Sequence, residues 1–232
     1  MMTREELLAH YTRVRAHYRA LAPAYSREAN QTCEGRYRDI VLRVMRGRAR
    51  VLELGSGSNA LLDGVGPPGS VACDLSLDML QQRRAVARTA AVVGGGEQLP
   101  FRDGSFDGMY HINVIEHVAD VEAVVAEGAR VLRPGGILAG VTPNGNWERW
   151  LDLAERWSMK IPEGPHTFLT TRALAAAVGR HFEVVEHRTF LALPGGPSAL
   201  SAAVDRLPGV ARMGWGFFQY VVAERRPAVG LR

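Results

Sequence analysis

Lysine is almost absent from this chain of 232 residues: Lys160 stands alone, so arginine carries nearly all of the 28 basic side chains behind the net charge of +4. Cysteine is nearly as scarce. Cys33 and Cys73 are the only two, and without C-x-x-C spacing they indicate neither a disulfide framework nor a zinc site. No apolar run approaches the ~20 residues that span a bilayer, and the charged start, Met1 to Glu6, is not followed by a signal-peptide core. A soluble, cytoplasmic protein without a membrane span is therefore expected. Repeats and low-complexity tracts are also missing. The arginines are scattered, apart from a cluster at Arg43, Arg46, Arg48 and Arg50. An RNA-binding face is one reading of that cluster. Arginines near a helix end, complementing its dipole and solvating a surface, are the other and the preferred one, so no nucleic-acid partner is expected.

What is present is apolar substance in short, regularly spaced runs. With 47% hydrophobic residues, the chain can bury one sizeable core plus additions. Residues 4–20 mix charged and apolar positions at helical spacing, and Pro23 is expected to break the pattern. A second helix is predicted from about Gln31 to Arg46, stopped by Gly47. Strands are then read at 50–54, 70–74, 90–93, 106–112 and 136–142, with Phe182–Thr189 and Gly216–Glu224 as the last two. Helices near 60–63, 77–88, 120–131 and 171–179 alternate with them. Such alternation predicts an α/β fold built on a doubly wound, mostly parallel sheet.

The residues most informative about function are Val51-Leu-Glu-Leu-Gly-Ser-Gly-Ser-Asn59, followed by an apolar run that closes on Asp74. Gly55 and Gly57 supply a tight turn and bare backbone against which a ligand can lie. An acid at the tip of the next strand can accept hydrogen bonds from two ribose hydroxyls. Gly55, Gly57 and Ala60 also satisfy the dinucleotide pattern, so NAD is an open alternative at this level. Glu53 shifts the balance. A diphosphate needs positive potential and free N–H groups, whereas a carboxylate two residues before the first glycine suits the ammonium of an amino-acid moiety. That favours S-adenosylmethionine, whose methionine end is a zwitterion.

Across roughly residues 45–145 the chain resembles the class I S-adenosylmethionine-dependent methyltransferases, particularly the ubiquinone and menaquinone branch. The carrying blocks are Val51 to Asn59, Val71 to Leu80, Glu97 to Asp107, Asn113 to Val118 and Ala129 to Leu138, in the family's order. The resemblance implies a Rossmann-like sheet of seven strands with an antiparallel C-terminal hairpin. It implies that Glu53 lies near the cofactor's amino group, that Gly55, Ser56 and Gly57 line its methionine and ribose, and that Asp74, followed by Leu75, binds the ribose hydroxyls. Gly96, Glu97 and Gln98 would approach the adenine, His111 to Asn113 would wall the sulfonium, and Tyr25 would cap the site. A buried tyrosine anchoring a helix explains Tyr25 equally well. Two positions depart from the pattern: Asn59 replaces a third glycine, and Gly95 replaces an acid that commonly touches the adenine amino group.

Function-specific information is expected in three additions: an N-terminal helical lid over residues 1–46, and insertions at 143–169 and 190–215 in the domain formed by 47–232. The first insertion holds Trp147, Trp150, Trp157, Met159 and Phe168, either an aromatic lid over an organic acceptor or ordinary core and a homo-oligomer contact. For a hydroxyl acceptor a base must remove a proton, and histidine suits neutral pH. His166 and His117 are the candidates, with helix capping and a structural role as their bland counterparts. A metal is not expected, because the Glu-x-x-Glu-His pattern of some relatives begins here with Asn113, an uncharged and weaker ligand. A methyltransferase acting on a small organic acceptor, with O-methylation preferred, is the reading that results. N- or C-methylation, an NAD-dependent oxidoreductase, an RNA methyltransferase and a non-catalytic cofactor-binding protein are its alternatives.

Overall fold

In the computed structural model, which describes residues 3–28, 31–58, 60–83, 89–148, 166–190 and 216–227, the short apolar runs pair into one sheet. The strands are β1 (Val51–Leu54), β2 (Val71–Asp74), β3 (Ala90–Val93), β4 (Phe106–Ile112), β5 (Leu132–Pro143), β6 (Phe182–Phe190) and β7 (Phe218–Arg225). Their order is β3-β2-β1-β4-β5-β7-β6. The first five run parallel, while β7 is antiparallel to both β5 and β6. This is the seven-stranded class I methyltransferase arrangement expected from the sequence. β1 and β4 are buried at nearly every position, as strands covered on both faces must be.

Helices cover the two faces: α1 (Arg4–Glu28), α2 (Gln31–Met45), α3 (Leu62–Val65), α4 (Leu77–Gln81), α5 (Val121–Val131) and α6 (Thr171–Gly179). One core joins Leu52, Met109, Val125 and Leu138 with Leu174 and Phe182 of α6 and β6. The other packs Tyr37, Val41 and Met45 of α2 against Val51, Tyr110 and Val141. The cap chemistry is local. Asp120 and Thr170 accept from the N–H groups of Ala123 and Ala173 at the starts of α5 and α6, and Gly47 follows α2 with a φ of 77°, the left-handed geometry that ends helices. Arg43, one of the four clustered arginines, pairs with Glu186 at 3.0 Å and ties α2 to β6.

Besides shifts of one or two residues, as at α3 and β7, three boundaries differ from expectation. α1 continues through Pro23 to Glu28, because proline removes one N–H bond from a helix without obliging it to end. α4 ends at Gln81, with Gln82 as its C-cap, short of the helix expected over 77–88, of which residues 84–88 lie outside the described residues. β5 begins at Leu132 and not at 136. Leu132 already pairs with Phe106 across a register shift, and Gly135, with a φ of 74°, accommodates the irregularity.

At the end of the sheet where the parallel strands start, Asp107 holds the chain entering β1. Its carboxylate accepts from Ala49 N–H at 2.8 Å and Arg50 N–H at 2.8 Å, and Arg133 reaches it at 3.1 Å. Burial alone would raise its pKa, but these donors outweigh it and leave the group lowered. Its contribution to stability is thus present above the ordinary carboxylate range and lost as pH falls through the lowered value.

β4 and β5 meet most tightly where His111 crosses Gly140. A methyl group added to Gly140 would sit 2.6 Å from the imidazole Nε2. Gly140→Ala is therefore expected to cost about 1–3 kcal/mol through overpacking. Urea denaturation measures it, and an unchanged midpoint would contradict the account.

Candidate functional site

At the opposite end, where the parallel strands finish, the chain encloses a cavity of about 590 Å³. Open α/β sheets place ligands there because the connections diverge on either side of the switch in strand order, here between β1 and β4. The turn after β1 depends on two glycines in left-handed conformation, Gly55 at φ 70° and Gly57 at φ 56°. The N–H groups of Gly55 and Ser56 donate to the Cys73 carbonyl at 2.8 and 3.1 Å, drawing the loop over the end of β2.

Carboxylates organise this loop. Asp74 accepts from Gly57 N–H through one oxygen and from Ser76 N–H through the other, both at 2.8 Å. Burial raises its pKa against the lowering effect of those two donors. Glu53, 6% exposed, accepts from the N–H groups of Leu61 at 3.0 Å and Leu62 at 3.2 Å, where α3 begins. Its carboxyl is pushed up to about 7, foremost by burial, with the two N–H donors and the Tyr110 hydroxyl opposing. Glu97, in the turn after β3, accepts from Ala119 N–H at 2.8 Å and from the Tyr11 hydroxyl of α1.

After β4, Asn113 takes a φ of 52°, the sole non-glycine residue with positive φ among the described residues. Its N–H donates to Val141 at 2.9 Å. The side-chain oxygens of Asn113, Ser56 and Ser58 are buried against the cavity without a protein partner. Buried polar atoms are nearly always satisfied, so this unused capacity fits a polar ligand. His117 lies on a 3-10 turn, Ile115–His117, with its ring edge-on to Tyr18 at 5.6 Å and to His166 at 6.5 Å. His166 in turn stacks on Phe168 at 4.3 Å.

The structure thus gathers Glu53, Gly55, Ser56, Gly57, Asp74 and Leu75 around one cavity with Gly96, Glu97, Asn113 and His117. Three expected members stand apart. Gln98 is exposed beyond the turn. His111 is 2% exposed, lies beside Gly140 and does not line the cavity; burial pushes its imidazole down to about 4. His166 touches His117 from outside the lining. Tyr25 falls within α1 but its side chain lies outside the described residues, as do Asn59, Trp150, Trp157, Met159 and residues 191–215. Of the described aromatics, Trp147 stacks on Phe217 at 4.6 Å and so joins the ends of the two insertions.

The sequence led to an N-terminal lid but not to the residues it presents as the ceiling of the cavity. Tyr11, Val14, Arg15 and Tyr18 of α1 line it, with Arg38 of α2. Their i, i+3, i+4, i+7 spacing is the available signal, since those positions share one helix face. The His10 ring also meets the His117 carbonyl at 2.7 Å. No cluster able to hold a metal occurs among the described residues, and no described helix is long and apolar enough to cross a membrane.

Residues 52–140 match the family described as methyltransferase domain. A ubiquinone biosynthesis O-methyltransferase of Bartonella bacilliformis is 25% identical over 51% of this chain and 52% of its own length. A demethylmenaquinone methyltransferase of Parafrankia is 36% identical over 39% of this chain and 44% of its own. The chain thus spans about half the length of the curated relatives it matches. A solved SAM-dependent methyltransferase from Thermotoga maritima superposes over 92% of this chain and 100% of its own, with a TM-score of 0.68 and 18% identity.

The closest approach in the site is between Gly55 and Val114: a Cβ on Gly55 would stand 2.1 Å from a Val114 methyl. Gly55→Ala should cost about 2 kcal/mol or more, combining left-handed strain with overpacking. Adding Val114→Ala should return only the steric share in chemical denaturation. Full recovery would show that the backbone conformation carries no cost.

Proposed function

We infer, with residues 52–140 a methyltransferase domain, that this chain is an S-adenosylmethionine-dependent methyltransferase acting on a small organic acceptor. The observation that carries the reading is the ligand-ready cavity in which Asp74 and Glu53 flank a two-glycine loop with unpartnered Ser56, Ser58 and Asn113 oxygens. Asp74 holds the ribose hydroxyls and Glu53 the ammonium. Arg15 and Arg38, the arginines in the lining, offer charge to a carboxylate. S-adenosylmethionine supplies an already electrophilic methyl group, so the protein's task is alignment and, for a hydroxyl, proton removal. The N-terminal helices act as a lid that excludes water.

O-methylation is the preferred chemistry because His117 and His166 adjoin at the β4 end of the cavity. His117 faces the acceptor and His166, edge-on to it, holds or relays the proton. The acceptor is identified by incubating the protein with cell extract and isotopically labelled S-adenosylmethionine, then reading the labelled product by mass spectrometry. With that acceptor, His166→Ala should lower turnover by about 10²- to 10⁴-fold and leave S-adenosylhomocysteine affinity intact. Unchanged turnover would reduce His166 to a structural residue.

Calorimetric titration should show S-adenosylhomocysteine binding, weakened by about 1.5–3 kcal/mol in Asp74→Ala; tight NAD binding with no response to this nucleoside would refute the assignment. The pH dependence has a definite sign. Glu53, raised to about 7 by burial, keeps a proton in the folded state that the unfolded chain has released, so ligand-free stability falls as pH rises from the ordinary carboxylate range to about 7. An ammonium beside it favours the ionised form. Affinity should therefore rise by about tenfold between pH 6 and pH 8, with proton release on binding at pH 6. A flat profile would remove Glu53 from contact with the ammonium.

A further inference from the structure

We propose that Tyr11 of the ceiling helix and Glu97 form a clasp that reads the exocyclic amine of the cofactor's purine, in a space that Gly95 leaves free. The proposal rests on the nucleoside reading of the cavity and adds the group that selects the base. Strand order sets the direction. The glycine loop stands on β1 and the ribose-facing carboxylate, Asp74, on β2, so a base attached to that ribose extends over the next strand outward, β3. There the chain presents three consecutive glycines, Gly94 to Gly96, followed by Glu97.

Tyr11 enters from above. Its hydroxyl donates to one oxygen of Glu97, whose other oxygen accepts from Ala119 N–H at 2.8 Å. A Cβ at residue 95 would lie 2.5 Å from the Tyr11 hydroxyl and 2.8 Å from its ring. A side chain at 95 and the clasp are thus mutually exclusive, which gives the departure at Gly95 a physical meaning. The tyrosine's single proton is committed to Glu97, and burial together with that carboxylate holds the phenol well above its ordinary pKa. What remains toward the cavity are lone pairs on the phenol and carboxylate oxygens. An acceptor-only edge pairs with the amino group of adenine and opposes the oxo group of hypoxanthine. Because Tyr11 belongs to α1, reading the base and closing the ceiling are one event.

The experiment compares S-adenosylhomocysteine with its deaminated analogue, S-inosylhomocysteine, by calorimetric titration of the full chain. The wild-type protein should prefer the amino compound by at least about tenfold, since a site built to bond an N–H rejects an analogue that lacks it. Tyr11→Phe, which removes the phenol acceptor and leaves the Glu97 carboxylate, should reduce that preference by weakening the amino compound alone. Glu97→Gln, which introduces a donor, should shift the preference toward the oxo compound and serves if Tyr11→Phe does not fold. Both nucleosides binding wild-type protein equally, or an intact preference in both variants, would overturn the clasp and leave the methyltransferase reading standing. Failure of either nucleoside to bind would overturn both.

Discussion

Buried carboxylates that accept backbone N–H groups hold this structure together at both ends of its sheet. Asp107 receives two such donors where the parallel strands begin. Asp74 and Glu53 each receive two where they finish. These N–H groups sit in turns or, for Leu62, at a helix start, where no regular backbone partner is available, and an orphaned buried donor would cost about 1–3 kcal/mol. The acids satisfy those donors and in doing so fix the loops. A ligand entering the cavity consequently meets a preorganised frame, and the glycine loop is ordered by folding rather than by binding.

The two acids of the cavity are held short of saturation. A carboxylate offers about four acceptor sites; at Asp74 and Glu53, which line the cavity, two backbone donors leave capacity for a ligand, whereas Arg133 adds to the two backbone donors of Asp107. Environment then separates their behaviour. Asp107, with a guanidinium added to its backbone donors, is lowered and stays charged, whereas at Glu53 burial wins over its donors and holds the carboxyl up at about 7. One functional group, the carboxylate, thereby serves as a rivet at one end of the sheet and as a chargeable contact at the other.

Much of this was legible in the sequence because apolar runs punctuated by glycine and acid encode buried parallel strands directly. Val51 to Leu54 and Val71 to Asp74 are strands at the predicted places, with Gly55, Gly57, Glu53 and Asp74 converging as their spacing implied. What the sequence left hidden were relations between distant segments. His111 reads like a site residue until Gly140 is seen to leave its ring room inside the sheet, away from the cavity. Tyr11 reads like an ordinary amphipathic position, because its partner lies 86 residues away. Pro23 removes one backbone donor without ending α1, and β5 extends past its apolar run because register with β4 recruits Leu132.

The antiparallel insertion of β7 between β5 and β6 has a kinetic consequence. During synthesis β6 leaves the ribosome before the strand that must separate it from β5. The sheet can assemble in chain order only as far as β5, whose outer edge then stays unpaired until Phe218 to Arg225 emerge. Exposed strand edges invite association with other chains, and pairing between distant segments is intrinsically slow. Vectorial folding of this protein therefore pauses with β7 and β6 still outside the sheet, and the ligand cavity, lined from α1, α2 and the loops of β1 to β4, stands assembled before the sheet that supports it is complete.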